Sequence, residues 1–168
     1  MKNTELSAIL SDLGRPRVLI VGDLILDRYI SGNVNRISPE APIAVLAANH
    51  KDMRLGGAGN VCANLRAMEA GVEVLSVVGE DKHGRRLIQM LEEIGVGTGG
   101  ILREENRMTT EKTRLVSGVN QMLRVDWEET RALEDSSLEE LLRQLPSSID
   151  GADAVILQED ATVESDRV

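Results

Sequence analysis

The residues best suited to binding chemistry form the stretch Leu55–Asn60, which reads Leu-Gly-Gly-Ala-Gly-Asn and opens into an apolar run at helical spacing. Glycines let the backbone approach a ligand closely, and a helix start presents unpaired N–H groups at the positive end of its dipole. Asn60 adds an amide with two donors and one acceptor oxygen. This combination suits a polyhydroxylated ligand such as a sugar. A glycine-rich turn before a core helix explains the same residues, so the glycines by themselves leave both interpretations open.

A carboxylate stands at the end of the first predicted sheet strand. Val18–Val21 is a continuous apolar run, typical of a strand buried on both faces of a parallel sheet, and Gly22 and Asp23 end it. Ligands of open α/β sheets bind beyond the carboxyl ends of the strands, so Asp23 lies where a site is expected. The alternative is a turn or cap aspartate. Asp27, four residues later, is expected to cap the next turn.

A second group of polar side chains lies on a predicted hairpin. Residues 109–116 and 121–126 read as two strands joined by a turn at 117–120. Because strand side chains alternate between two faces, one face would direct several donors toward a ligand. A solvent-exposed, charged strand face is the alternative. The candidates on this hairpin are Lys112, Arg114, Gln121 and Arg124.

Composition excludes several classes of function. The 168 residues carry a formal net charge of −9, which provides no electrostatic footprint for nucleic acid. An anionic substrate needs only a local cationic pocket and stays possible. Cys62 is the single cysteine, so no intrachain disulfide forms, and we predict a reducing, cytoplasmic location. Residues 1–13 carry acids and do not read as a signal peptide, and no apolar run approaches the length needed to cross a membrane.

Hydrophobic periodicity predicts the elements that position these groups. The region between the first strand and the glycine cluster carries two strands that do not alternate with helices, so we place them outside the main sheet, in a flap. His83, in an acidic loop, is expected to be a solvated surface histidine. Pro146 is expected to end a helix that Ser136 or Ser137 caps. The remaining predicted helices are 4–13, 61–70 and 85–94, and the remaining sheet strands are 72–79, 101–102 and a buried strand at 154–157.

Several of these segments together resemble the ribokinase-like (PfkB) carbohydrate kinases. The similarity runs in order through about residues 15–157, the first half of such a kinase domain. It implies a three-layer α/β/α sheet, here incomplete, with a small β lid whose strands cover about 26–50 and 109–126. The Arg-Ile-Ser-Pro-Glu-Ala-Pro segment is similar to the family members that act on heptose 7-phosphate. The segments that carry the resemblance are 18–29, 36–42, 55–60, 77–81 and 110–126.

The resemblance implies an activity and a set of binding residues. The family transfers the γ-phosphoryl group of ATP, with Mg²⁺, to a sugar hydroxyl. Here that hydroxyl is expected to be O1 of D-glycero-D-manno-heptose 7-phosphate, a precursor of the lipopolysaccharide core, with ribose or fructose as the alternative sugars. The cationic lid residues would meet the 7-phosphate, and lid strands would pair in a homodimer. By resemblance the substrate-binding residues are Asp23, Gly56, Gly57, Asn60, Lys112, Gln121 and Arg124.

The sequence also departs from the family pattern. The glycine-rich Gly-Ala-Gly-Asp segment that supplies the family's catalytic base and anion hole does not occur in these 168 residues. Residues 158–168 diverge abruptly, which suggests a frameshift or premature end. We therefore expect no catalytic residue, no metal site and no kinase turnover from this chain alone, and exposed edges that favour dimerisation or low stability. The alternative is a non-catalytic sugar-phosphate-binding or dimerisation module.

Overall fold

The computed structural model describes residues 14–159, so the predicted helix at 4–13 and nearly all of the divergent tail lie outside the described residues. The strands are β1 Arg17–Gly22, β2 Leu24–Ile37, β3 Ala44–Gly57, β4 Gly71–Gly79, β5 Gly97–Glu104, β6 Glu111–Ser117, β7 Asn120–Trp127 and β8 Ala154–Gln158. The helices are α1 Ala58–Ala67, α2 Lys82–Glu93 and α3 Asp135–Asp150.

The first sheet is the centre of the α/β core. Its strands are all parallel and lie in the order β5-β4-β1-β8. The chain moves from β1 through β4 to β5 in one direction and then returns past β1 to β8. Because parallel crossovers are right-handed, α1 and α2 cover one face and α3 covers the other. Apolar residues from β1, β4, α1 and α2 form the main core, including Ile20, Val74, Cys62, Leu87 and Leu91.

The second sheet is the β lid, with the order β3-β2-β6-β7. The pair β2–β6 is parallel, and the other two pairs are antiparallel. Asp23 alone separates β1 of the core from β2 of the lid. The expectation of strands outside the main sheet is therefore confirmed, and the predicted hairpin is the β6–β7 pair.

Helix α3 differs from the sequence prediction at both ends. It begins at Asp135 after the cap residue Glu134, which makes no side-chain cap, and neither serine caps it. Pro146 lies inside the helix and does not end it. An interior proline removes one backbone N–H donor and crowds the carbonyl four residues earlier, yet the helix continues to Asp150 although Ser137 is its single buried residue.

Two strand predictions are also corrected. β8 is an edge strand that pairs with β1, and Leu157 is 78% exposed, so this strand is not buried. Among the described residues no strand covers its other side. β5 begins at Gly97, four residues before the strand predicted at 101–102, so the glycines at 97–100 lie inside it. A Cβ at Gly100 would meet the Leu75 side chain at 2.1 Å, so glycine there makes room for the neighbouring strand.

Within the described residues, no helix is both long enough and apolar enough to cross a lipid bilayer.

The turn from β3 into α1 depends on glycine. Gly57 has φ = 55°, and a Cβ at this position would lie 2.4 Å from the carbonyl oxygen of Asp23. Both the left-handed backbone and the contact exclude a side chain. The glycine cluster therefore lets the returning lid strand pass directly against the residue at which the chain left the core.

We predict that Gly57→Ala lowers the free energy of unfolding by about 2 kcal/mol or more, because alanine is strained at this φ and displaces the Asp23 carbonyl. The matched control is Gly99→Ala, since that glycine has open space around it and no positive φ. Urea denaturation midpoints measure both changes. Equal midpoints for the two variants would contradict the assignment.

Candidate functional site

A cavity of about 670 Å³ opens at the carboxyl ends of β1 and β4. This is the edge at which open parallel sheets bind ligands. The strands supply its floor, while the loops before β6 and after β7 supply its walls. Its lining residues are Val21–Ile25, Leu75–Val78, Arg107–Thr110, Glu128–Thr130, Leu133 and Leu141.

Asp23 lines this cavity and is exposed. Its carbonyl oxygen accepts the N–H of Ala58, the first residue of α1, at 2.9 Å. The backbone thus joins Asp23 to the glycine turn. Asn60, two residues further along α1, is exposed, and the cavity lining includes neither it nor the glycines Gly56 and Gly57. The structure places Asp23 beside the start of α1 but gives Asp23 and Asn60 no common cavity wall.

The polar lid residues share one face of the second sheet. Lys112 lies in register with Asp27 of β2 and Asp126 of β7, and Arg114 lies in register with Arg124. Register partners project to the same side of a sheet, as do alternate residues of one strand. Gln121 pairs with Val116, and Val116 lies four residues after Lys112 on β6, so its side chain points to the same side. Gln121 therefore lies on this face as well.

This polar lid face, defined by Asp27, Lys112, Arg114, Gln121 and Arg124, continues from the cavity. Ile25 and Thr110 both line the cavity. Each lies two residues before a member of the polar lid face, Asp27 and Lys112 respectively, and so points to the same side. A ligand in the cavity would therefore extend along this face.

Asp27 is a site residue that the sequence reasoning missed. It lies within β2, so the expectation that it caps a turn is wrong. Its carboxylate contacts Arg114 at 2.5 Å and faces the glycine turn, because a Cβ at Gly56 would lie 2.8 Å from Asp27 Oδ2. The alternation of β2 was the available signal, since an extended strand through Asp27 brings its side chain to the face that carries Lys112.

Further charges on this side of the lid are paired. The Tyr29 ring lies between two guanidinium groups, with centroid distances of 4.6 Å to Arg54 and 5.4 Å to Arg114. Arg54 also bonds Asp52 at 2.8 Å, which lowers the pKa of that carboxyl. Cation–π contacts orient the guanidinium planes across the sheet. The lid thus presents cations held in fixed positions.

The profile of the pfkB family of carbohydrate kinases matches residues 15–157. This chain belongs to that family. A curated relative named bifunctional protein HldE, from Wolinella succinogenes, is 44% identical over 151 residues, which cover 90% of this chain and 32% of the relative. The chain spans about a third of the length of the curated relatives it matches.

Solved structures agree on the fold. A carbohydrate kinase from Agrobacterium tumefaciens superposes with a TM-score of 0.66 at 18% identity, covering 84% of this chain and 45% of that one. A sugar kinase from Pyrococcus horikoshii in complex with ATP gives a TM-score of 0.59 at 18% identity, covering 83% and 42%. At such low identity these likenesses establish the ribokinase-like architecture alone.

In this pfkB-family chain, Asp81 fixes one wall of the cavity. Its Oδ1 caps α2 by accepting the N–H groups of His83 and Gly84, each at 2.8 Å, and its Oδ2 accepts the N–H of Thr109 at 2.9 Å. Burial raises the pKa of Asp81, but the hydrogen bonds from Gly84, Thr109 and His83 outweigh it, and the net pKa is lowered. The ionised carboxylate therefore ties the loop before β6 to α2.

Glu104 fixes the opposite wall. This buried carboxylate contacts Arg107 Nε at 2.6 Å and accepts the backbone N–H of Glu134 at 3.0 Å. Burial raises the pKa of Glu104, and the bonds from Arg107 and Glu134 lower it further than burial raises it. Arg107, which lines the cavity, also donates to the carbonyl oxygens of Arg131 and Ala132. One carboxylate thus joins both loops that flank the cavity.

His83 is not the solvated surface residue predicted from its acidic loop. It lies in the first turn of α2, its side chain is 22% exposed, and its Nε2 lies 3.2 Å from Glu111 Oε2 of the lid. Strand β6 packs beside this turn, which sequence neighbours could not reveal.

The described residues hold no cluster of metal ligands, and the charges lining this cavity do not suit a nucleoside triphosphate. Over residues 14–159, no three His, Cys, Asp or Glu side chains converge as metal ligands. The charged residues lining the cavity are Asp23, Glu128, Glu129 and Arg107. Three carboxylates against one guanidinium do not fit a triphosphate, which requires cations and N–H donors.

We predict that Asp81→Asn lowers the free energy of unfolding by about 1–2 kcal/mol at pH 7, because it removes a charge-assisted helix cap and the acceptor for Thr109. The pKa of Asp81 is lower in the folded than in the unfolded chain, where it is near 3.8. The Asp81 carboxylate therefore stabilises the fold fully above that pH, and this stabilisation is lost as pH falls through the folded-state pKa. The difference between variant and wild type should therefore shrink below about pH 4. Denaturation at several pH values measures it, with the exposed Glu105→Gln as control. A difference that does not depend on pH would contradict the role of the ionised carboxylate.

Proposed function

We propose that this chain forms the sugar-phosphate-binding part of a PfkB kinase domain whose substrate is D-glycero-D-manno-heptose 7-phosphate, phosphorylated at O1 in the synthesis of lipopolysaccharide core precursors. The observation that carries the proposal is the polar lid face, which continues from a cavity at the strand ends. Family membership supports the reaction class, and the relatives named HldE support the heptose.

The acceptor sugar is the ligand that these residues suit best. Asp23 at the cavity and Asp27 on the lid accept hydrogen bonds from sugar hydroxyls. Lys112, with Gln121 and Arg124 further along the same face, would meet the 7-phosphate through charge-assisted hydrogen bonds. Gly56, Gly57 and Asn60 remain proposed contacts near the start of α1.

We propose ATP as the phosphoryl donor of the kinase domain, since the Pyrococcus horikoshii sugar kinase is solved in complex with ATP. Mg²⁺ would accompany it, because charge neutralisation around the phosphates is central to phosphoryl transfer. No described residue is assigned to either group. The role of this chain in the reaction is therefore to bind and orient the acceptor hydroxyl.

Calorimetry with D-glycero-D-manno-heptose 7-phosphate tests the proposal. We expect Asp27→Asn to weaken binding about tenfold or more, because removing the charge loses strong hydrogen bonds and leaves Arg114 without its partner. The control is Asp52→Asn, which breaks a more exposed carboxylate–guanidinium pair with Arg54 at the same lid sheet and should leave affinity unchanged. Ribose and fructose 6-phosphate serve as competing ligands.

Absence of binding by the wild type at millimolar heptose 7-phosphate would contradict the proposal. Tighter binding of fructose 6-phosphate or ribose would instead favour a kinase for that sugar.

We also propose a homodimer through the lid strands, in a cytoplasmic protein. Exposed apolar residues on the lid support it: Leu123 on β7 is 54% exposed and lies opposite the polar lid face. Leu123→Glu is expected to shift the chain to monomer in sedimentation equilibrium. Leu142→Glu is the control, since that leucine on α3 is similarly exposed at 57% but lies away from the lid. Equal effects of both variants would contradict a lid interface.

A further inference from the structure

A cluster of three charged or ionisable side chains lies on the reverse of the polar lid face. Glu111 Oε2 lies 3.0 Å from Arg28 Nη2 and 3.2 Å from His83 Nε2. The other oxygen of Glu111 accepts the hydroxyl of Thr113 at 2.6 Å. Glu111 and Arg28 belong to the lid, whereas His83 belongs to core helix α2. The cluster therefore crosses the boundary between the lid and the core.

Burying these charged groups costs desolvation free energy. The Glu111 side chain is only 4% exposed, and its Oε2, like Arg28 Nε, has no well-aligned hydrogen-bond partner despite the short charge–charge distances. A buried ion pair with imperfect alignment recovers little beyond its desolvation cost, so apolar packing would stabilise this boundary at least as well. What the polar contact adds is direction, because moving the lid relative to α2 separates the buried Glu111 carboxylate from the His83 ring.

The strands that meet here are those that carry the polar lid face. Glu111 immediately precedes Lys112, and Arg28 immediately follows Asp27. Neighbouring strand residues point to opposite faces, so one side of each strand contacts α2 while the other faces the ligand side. His83 in turn lies in the turn of α2 that Asp81 caps. A shift of β2 or β6 relative to α2 would therefore move Asp27 and Lys112 relative to the cavity.

We infer that the Glu111–Arg28–His83 cluster is a latch that holds the lid at the angle required for ligand binding, with Glu111 as a positioning residue. The inference rests on the proposed function for its effect on sugar-phosphate affinity. Its structural part, the control of lid angle by the cluster, stands independently of the ligand.

Electron paramagnetic resonance distances between two spin labels read the lid angle without a ligand. One label is attached at the lid tip through Val119→Cys, because Val119 is 98% exposed. The other is attached to core helix α2 through Gln89→Cys, because Gln89 is also exposed. Cys62 is fully buried and does not compete for the label. Dilution with unlabelled chain keeps the measured distances within one molecule. We expect Glu111→Gln and His83→Ala to broaden the distance distribution about twofold, because a latched state gives way to several lid angles.

Two further variants separate positioning from stability. His83→Gln places an N–H group near the position of Nε2 and is expected to keep the narrow distribution. Ile88→Val, a mild core change on the same helix, is expected to leave it narrow as well. An unchanged width in Glu111→Gln, equal broadening in Ile88→Val or no rescue by His83→Gln would overturn the latch.

Calorimetry of the unlabelled variants tests whether the latch affects the affinity for the sugar phosphate. Glu111→Gln is expected to weaken heptose 7-phosphate binding about fivefold, because only a fraction of lids then holds the binding angle, and Ile88→Val is expected to bind normally. Unaltered affinity in Glu111→Gln would overturn the positioning role. If the wild type binds no heptose 7-phosphate, the proposed function fails, and the spin-label distances still decide the latch.

Discussion

The arrangement depends on a backbone constraint at the junction of two sheets. The chain first enters the lid from the core sheet through Asp23 alone, and this first excursion returns from β3 into α1 at Gly57. These first two crossings between core and lid are in contact, since the Asp23 carbonyl oxygen accepts the Ala58 N–H and no Cβ fits at Gly57. A junction this short leaves the lid little freedom to translate. The cavity, the start of α1 and the polar lid face therefore stay adjacent.

Buried or half-buried carboxylates then hold the parts around that junction. Asp81 ties α2 to the loop before β6, and Glu104 ties the loops that flank the cavity. Glu111 reaches from the lid to α2. Each carboxylate joins segments distant in sequence, so charge-assisted contacts take over where the aliphatic core does not reach. The core itself lies between the sheet and its helices, whereas the site lies at the sheet edge.

Sequence reasoning succeeded where a local pattern has one structural outcome. The apolar run before Asp23 became β1, the glycine cluster led directly into α1, and the donors of the hairpin share one face. It failed where the outcome depends on distant partners. Pro146 did not end α3, and the apolar strand β8 lies exposed at an edge because no described strand covers its outer side.

Periodicity and glycine content predicted the α/β class and the separate lid, and the resemblance of the ordered motifs to known carbohydrate kinases indicated the PfkB family. These properties follow from side-chain patterns that are read along the chain. The place of the binding site stays a prediction. Only the tertiary structure decided that Asp27 faces the glycine turn and that Asn60 lies outside the cavity lining. It alone also brought His83 against Glu111. Strand register and the packing of a lid on a core set these contacts, and both are properties of residues far apart in sequence.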